Sequence, residues 1–154
     1  MLTGCALTPT VATNSPSPSP GEGGGSANVA QDLTFNGKLP ARWTKADVSC
    51  GQADGKGIDS FSVKLTAQDS LGQKDTLTVV VPSGYKGAGE YSVDTTATLT
   101  AAAGGGVIAY SAPALQTQFQ VAQDLQSGTI YANLAQGADQ QDAVEHVEGT
   151  WHCR

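Results

Sequence analysis

Residues 61–67 read FSVKLTA, and residues 77–81 read LTVVV. In the first stretch Phe61, Val63, Leu65 and Ala67 are apolar, while Ser62, Lys64 and Thr66 between them are polar. Successive side chains of an extended chain point to opposite faces, so this alternation marks a half-buried strand. In the second stretch Leu77, Val79 and Val81 form the inward set. The same period recurs in both directions along the chain. Upstream it selects Leu33 and Phe35; downstream it selects Phe119 and Val121, then Ile130, Ala132 and Leu134. The closing VEGTWHC puts Val147, Gly149, Trp151 and Cys153 on one face. No segment shows a 3.6-residue stripe, and only AQGADQQDAVEH, residues 135–146, has room for a helical turn. The expected architecture is all-β, a single antiparallel β-sandwich or barrel of about eight strands. WTKADVSC, residues 43–50, breaks the parity between Trp43 and Val48, and a bulge near Lys45–Asp47 would restore it.

Composition supports strands joined by tight turns. The 154 residues are 39% hydrophobic and only 14% charged, against about 25% charged in ordinary domains. Thr, Ser, Gln and 19 Gly take the place of the missing charge. A net charge of −6 argues against a nucleic-acid partner, which needs a clustered basic surface. No window approaches the roughly 18 apolar residues of a membrane-spanning helix.

The alternating texture begins at residue 32. Residues 6–31 hold one charged side chain, Glu22, and no aromatic ring. Their Ser-Pro run favours polyproline II and their Gly run favours coil, and such a segment buries too little apolar area to offset its ordering entropy. The organisation expected is therefore residues 1–5, a disordered Ser/Pro/Gly tether over 6–31, and a β-domain over 32–154.

Three cysteines, Cys5, Cys50 and Cys153, divide most economically into a pair and one left over. Cys50 closes an early strand and Cys153 sits in the last one, each two positions after an inward residue, Val48 and Trp151. In an oxidised β-domain this arrangement points to a buried disulfide, the alternative being two separate buried thiols. No C-x-x-C and no zinc-type Cys/His cluster is present.

Candidate chemistry is sparse. HVEGTWH, residues 146–152, resembles a metal or catalytic box only at first sight. On a strand His146 and His152 stand about 20 Å apart, too far to share an ion, and read with Glu148 as a polar outward row. Calcium has two candidate stretches, Asp54 with Asp59, and Asp139 and Asp142 with Glu145. Neither has EF-hand spacing, and Asp54-Gly55 is a turn signal by itself. There is no G-x-S-x-G elbow, and AAAGGG at 101–106 lacks a P-loop lysine. No catalytic residue, metal or cofactor is expected. PSGYKGAGEY, residues 82–91, is the most distinctive loop; Tyr85 and Tyr91 either clamp it or offer a partner contact.

Leu2-Thr3-Gly4-Cys5 resembles the bacterial lipobox, read by the lipoprotein signal peptidase. The resemblance implies recognition of Leu2, Thr3 and Gly4, cleavage before Cys5, and a diacylglyceryl group on the Cys5 thiol. The basic region and most of the apolar region of such a leader are not in this sequence, so residues 1–5 read as a signal-peptide remnant. VSCG, YKGAGEY, SGTIYANL and GTWHC, within residues 32–153, resemble small uncharacterised surface lipoproteins of high-GC Gram-positive and Chloroflexi-like bacteria. More distantly the domain is similar to the mycobacterial 19-kilodalton lipoprotein antigen family. These resemblances imply an exported β-domain held by lipid at the extracytoplasmic face of the membrane. The function expected is a non-enzymatic surface binding module with a protein or cell-wall partner. Two alternatives are a carrier holding an apolar molecule or lipid between the sheets, and an enzyme with a site hidden from sequence.

Overall fold

The alternation seen in the sequence becomes two antiparallel sheets. A computed structural model of the chain describes residues 31–69, 71–103, 105–112, 116–136 and 145–154. Six strands form one sheet: β1 (Asp32–Asn36), β2 (Ala41–Trp43), β6 (Gly89–Tyr91), β9 (Thr117–Val121), β10 (Ser127–Leu134) and β11 (Glu145–His152), in the order β2-β1-β11-β10-β9-β6. The second sheet runs β3-β4-β5-β7-β8, from β3 (Asp47–Gly51), β4 (Phe61–Gln68), β5 (Lys74–Val81), β7 (Thr96–Ala103) and β8 (Gly106–Ala112). The described residues contain no helix. The two open sheets make a sandwich, not a closed barrel. The segment expected to hold a helical turn lies largely outside the described residues.

The described residues form eleven strands where about eight were expected. The extra ones include β2 and β6, three residues each. Three residues are too few to display a period, so these strands exist because a longer neighbour offers them a ladder. The parity break at residues 43–50 also has a different origin from the expected bulge. Trp43 ends β2 in one sheet and Val48 lies in β3 of the other. The chain crosses between sheets at residues 44–46, and each residue obeys the parity of its own strand.

The inward sets meet as expected. Leu33, Val63, Leu65, Leu77, Ala132, Leu134, Val147 and Trp151 are fully buried. Trp151 lies at the centre, stacked on Phe119 at 5.2 Å between ring centroids, with Phe61 at 6.3 Å. Trp43 packs on Phe35 at 4.4 Å. The volume between the sheets is thus filled by side chains of both. Cys50 and Cys153 form a disulfide across 103 positions, with their Cα atoms 5.9 Å apart. It ties β3, an edge strand of one sheet, to the residue following β11 of the other. A second stitch pairs Ser111 of β8 with Ala135, just after β10; each backbone N–H donates to the other's carbonyl at 2.9 Å.

Gly149 holds β11 in place between β1 and β10. Its φ of 144° is one that side chains disfavour, and a Cβ there would run into the carbonyl oxygen of Asp32 on β1. Backbone cannot yield as a side-chain tip can. Gly149→Ala is expected to cost about 1–3 kcal/mol, the range for enforced backbone strain, read as a lower urea midpoint at unchanged m-value.

Candidate functional site

If Phe119, Ile130, Val147 and Trp151 point inward, their neighbours in sequence must point out. Register then decides which outward residues meet. One row crosses the six-stranded sheet as Glu90, Gln120, Thr129, Thr150 and Asp32 on β6, β9, β10, β11 and β1. The next row is Gln118, Tyr131, Glu148, Thr34 and Arg42. Between the β6, β9, β10 and β11 portions of these rows lies a shallow depression of about 410 Å³, floored by Phe119, Ile130 and Gly149.

The chemistry of this face is amide, hydroxyl and carboxylate. Thr129 Oγ1 donates to Gln120 Oε1 at 3.3 Å. Tyr131 is 40% exposed and meets the ring of His146 edge-on at 4.5 Å. His146 is held in turn: Nδ1 donates to Asn133 Oδ1 at 2.9 Å and Nε2 lies 3.6 Å from Glu148 Oε2. Arg42 is the sole lysine or arginine on these six strands. Its guanidinium donates twice to Asp32, at 2.8 and 2.6 Å. That pairing lowers the Asp32 pKa and raises that of Arg42.

The outward row HVEGTWH therefore behaves as a strand predicts. His146 and Glu148 are neighbours, whereas His152 stands at the far end of β11. Among the described residues no group of three or more His, Cys, Asp or Glu side chains could hold a metal ion. Glu90 and Glu148 share the depression on strands three spacings apart and two residues out of register, a backbone separation of about 16 Å.

Of the calcium candidates, Asp59 and Glu145 each accept a hydrogen bond from backbone. Asp54-Gly55 makes the expected turn, with Lys56 N donating to Ala53 O at 3.1 Å and Gly55 at φ 70°. Asp59 Oδ2 accepts from Gly84 N at 2.9 Å, and its carbonyl accepts from Tyr85 N at 2.7 Å. Glu145 is fully buried and its Oε2 accepts from Leu39 N at 2.9 Å, pinning the β1–β2 connection. Asp139 and Asp142 lie outside the described residues, as do Leu2, Thr3, Gly4, Cys5 and the tether through residue 30.

Tyr85 and Tyr91 are built into their loop. Tyr85 stacks on Phe61 at 4.5 Å, and its ring centroid lies 5.5 Å from that of Tyr91. Tyr91 Oη donates to Gly87 O at 2.8 Å and accepts from Lys86 N at 3.1 Å. Burial, with Tyr91 alongside, pushes the Tyr85 phenol above its usual pKa. Both rings are half-buried, so the clamp is what the geometry displays.

Asp124 closes the β9–β10 hairpin beside the face. Oδ1 accepts from the backbone of Gln126 and Ser127 at 3.0 Å, and Oδ2 from Ser127 Oγ at 2.8 Å. The bond from the Gln126 backbone is the main cause of a lowered Asp124 pKa, followed by that from the Ser127 hydroxyl. A depressed carboxylate stabilises the fold above its unfolded pKa, about 3.9, and loses that contribution as pH falls through the lower folded value. Asp124→Asn is expected to lower the melting temperature at pH 7 and to flatten its decline below about pH 4. Parallel declines of the two proteins below pH 4 would refute this.

Gln118 and Gln120 lay in no motif of the sequence, and Thr129 and Tyr131 only within SGTIYANL, which assigned them no role. Their outward parity was available there; their adjacency was not. Comparison with known proteins finds no matching family model, no similar curated protein and no similar solved structure.

Proposed function

We propose that the chain is a lipid-anchored module of the bacterial cell surface that binds without catalysing, with the outer face of the six-stranded sheet as its contact surface. The carrying observation is the depression of about 410 Å³ across β6, β9, β10 and β11, rimmed by Glu90, Gln118, Gln120, Thr129, Tyr131 and Glu148. Polar groups that converge on an exposed, rigid sheet are preorganised for recognition, since little side-chain or backbone ordering remains to be done on binding. The packed Trp151, Phe119 and Phe61 between the sheets favour a contact face over an internal carrier. The lipobox supports the anchor, and two or more acyl chains at about 0.8 kcal/mol per CH₂ give stable attachment.

The test uses the full chain carrying Cys5→Ser, kept soluble, and isolated bacterial cell envelopes. Co-sedimentation is expected, with at least tenfold weaker binding after Tyr131→Ala or Gln118→Ala at unchanged melting temperature. Binding that neither substitution alters would move the contact surface elsewhere. Intact mass of the protein from its native membrane tests the anchor: a chain beginning at Cys5 with added diacylglycerol supports it, and an unmodified Cys5 refutes it.

A further inference from the structure

We infer that the ligand of this face is an uncharged polysaccharide laid across the strands of the six-stranded sheet. The inference rests on the outer face being the contact surface and adds what that surface selects. Three properties converge on a sugar. The first is that no lysine or arginine lines the depression. Arg42, the sole lysine or arginine on the six strands, is paired with Asp32, and neither residue lines the depression. A phosphate-bearing or carboxylate-rich polymer would therefore meet Glu90 and Glu148 with no compensating positive charge.

The second property is the kind of hydrogen-bonding group. Gln118 and Gln120 each carry an acceptor oxygen and a two-hydrogen donor, and Thr129 and Tyr131 carry hydroxyls. Glu148 is an acceptor when ionised. A sugar hydroxyl both donates and accepts, so it satisfies such groups in pairs. A lipid chain satisfies none of them, and burying them unpartnered is costly.

The third property is shape. Gln118, Tyr131 and Glu148 are register partners on adjacent strands, so one contact group recurs about every 4.8 Å. That spacing is comparable to the length of one pyranose residue. The Tyr131 ring stands between the two polar groups, 40% exposed and steadied by the edge contact with His146. An aromatic face carries partial negative charge and accepts the weakly positive C–H face of a pyranose. The depression is shallow and open to solvent, which suits a chain lying across it over a small molecule enclosed.

Affinity electrophoresis of the full chain carrying Cys5→Ser tests this, in native gels holding mannan, dextran or hydroxyethylcellulose, with polygalacturonate as the anionic counterpart. Retardation by at least one neutral polymer is expected, undiminished in 0.5 M NaCl and reduced at least fivefold in apparent affinity by Tyr131→Ala and by Gln118→Ala. Tyr131→Phe is expected to retain most of the retardation, because it keeps the stacking face; a loss equal to that of Tyr131→Ala would refute the stacking role. Retardation by polygalacturonate alone, or by none of the polymers, would overturn the inference. If envelope binding through the same face persisted in that case, the contact surface would stand and its ligand would be a protein. If envelope binding were also insensitive to Tyr131→Ala and Gln118→Ala, both readings would fall.

Discussion

Replacing Cys50 and Cys153 together by alanine is expected to destabilise the domain by about 2–4 kcal/mol. The bridge closes a loop 103 positions long, for which the chain-entropy relation gives about 4.7 kcal/mol as an upper figure. Position matters as well as loop length. Among the described strands β3 pairs only with β4, so the bridge adds a covalent tie to an edge strand otherwise held by that ladder and by the packing of Val48 and Cys50. Without it β3 is expected to fray first, with faster amide exchange over Asp47–Gly51 than over β4 and β5. For a domain of about 120 residues the stability loss corresponds to roughly 10 °C in melting temperature. Calorimetry of the double variant, and of the native chain under reductant, should give the same drop. A melting temperature within 2 °C of the native value would show that the sheets hold together without the bridge.

Truncating Trp151 should cost more. Its side chain is fully buried, stacked on Phe119 and close to Phe61, so it touches both sheets at their centre. Trp151→Ala removes that area and leaves a cavity that rigid strands cannot close, which costs about 3–5 kcal/mol. The ring also packs directly against the backbone of Gly128, which has no side chain to offer in its place. A Cβ on Gly128 would meet the Gln120 carbonyl and approach Trp151 Cζ2 at 2.7 Å, so the ring already occupies space a side chain would need. Trp151→Phe removes less buried volume and is expected to cost less than Trp151→Ala. Among the described residues the indole Nε1 has no hydrogen-bond partner, so phenylalanine removes an unsatisfied buried donor while keeping most of the aromatic packing. Urea unfolding of both variants separates the two contributions. Equal losses would mean that ring shape, and not buried area, governs this site.

Trp151 also marks the boundary between what is legible in the chain and what is not. The inward assignments of Leu33, Val63, Leu77, Phe119, Ile130 and Trp151 follow from period two alone, because side-chain alternation is a local property of an extended backbone. The turn at Asp54-Gly55 follows in the same way from local backbone preference. Strands β2 and β6 did not, since three residues carry no period and owe their extension to β1 and β9. The crossover at residues 44–46 looked like a bulge because parity breaks alike when a strand is interrupted and when the chain changes sheets.

The candidate site divides along the same line. The sequence determined that Gln118, Gln120, Thr129, Tyr131 and Glu148 would face outward, once their neighbours were assigned inward. It also determined that no lysine or arginine would stand among them. Which of these residues are neighbours was decided only by the tertiary structure. Register between β9, β10 and β11 is a long-range property, set by packing around Trp151 and by the backbone approach at Gly128 and Gly149. Shifting any one of those strands by a single residue would turn its polar row inward, and the hydrophobic core does not permit it.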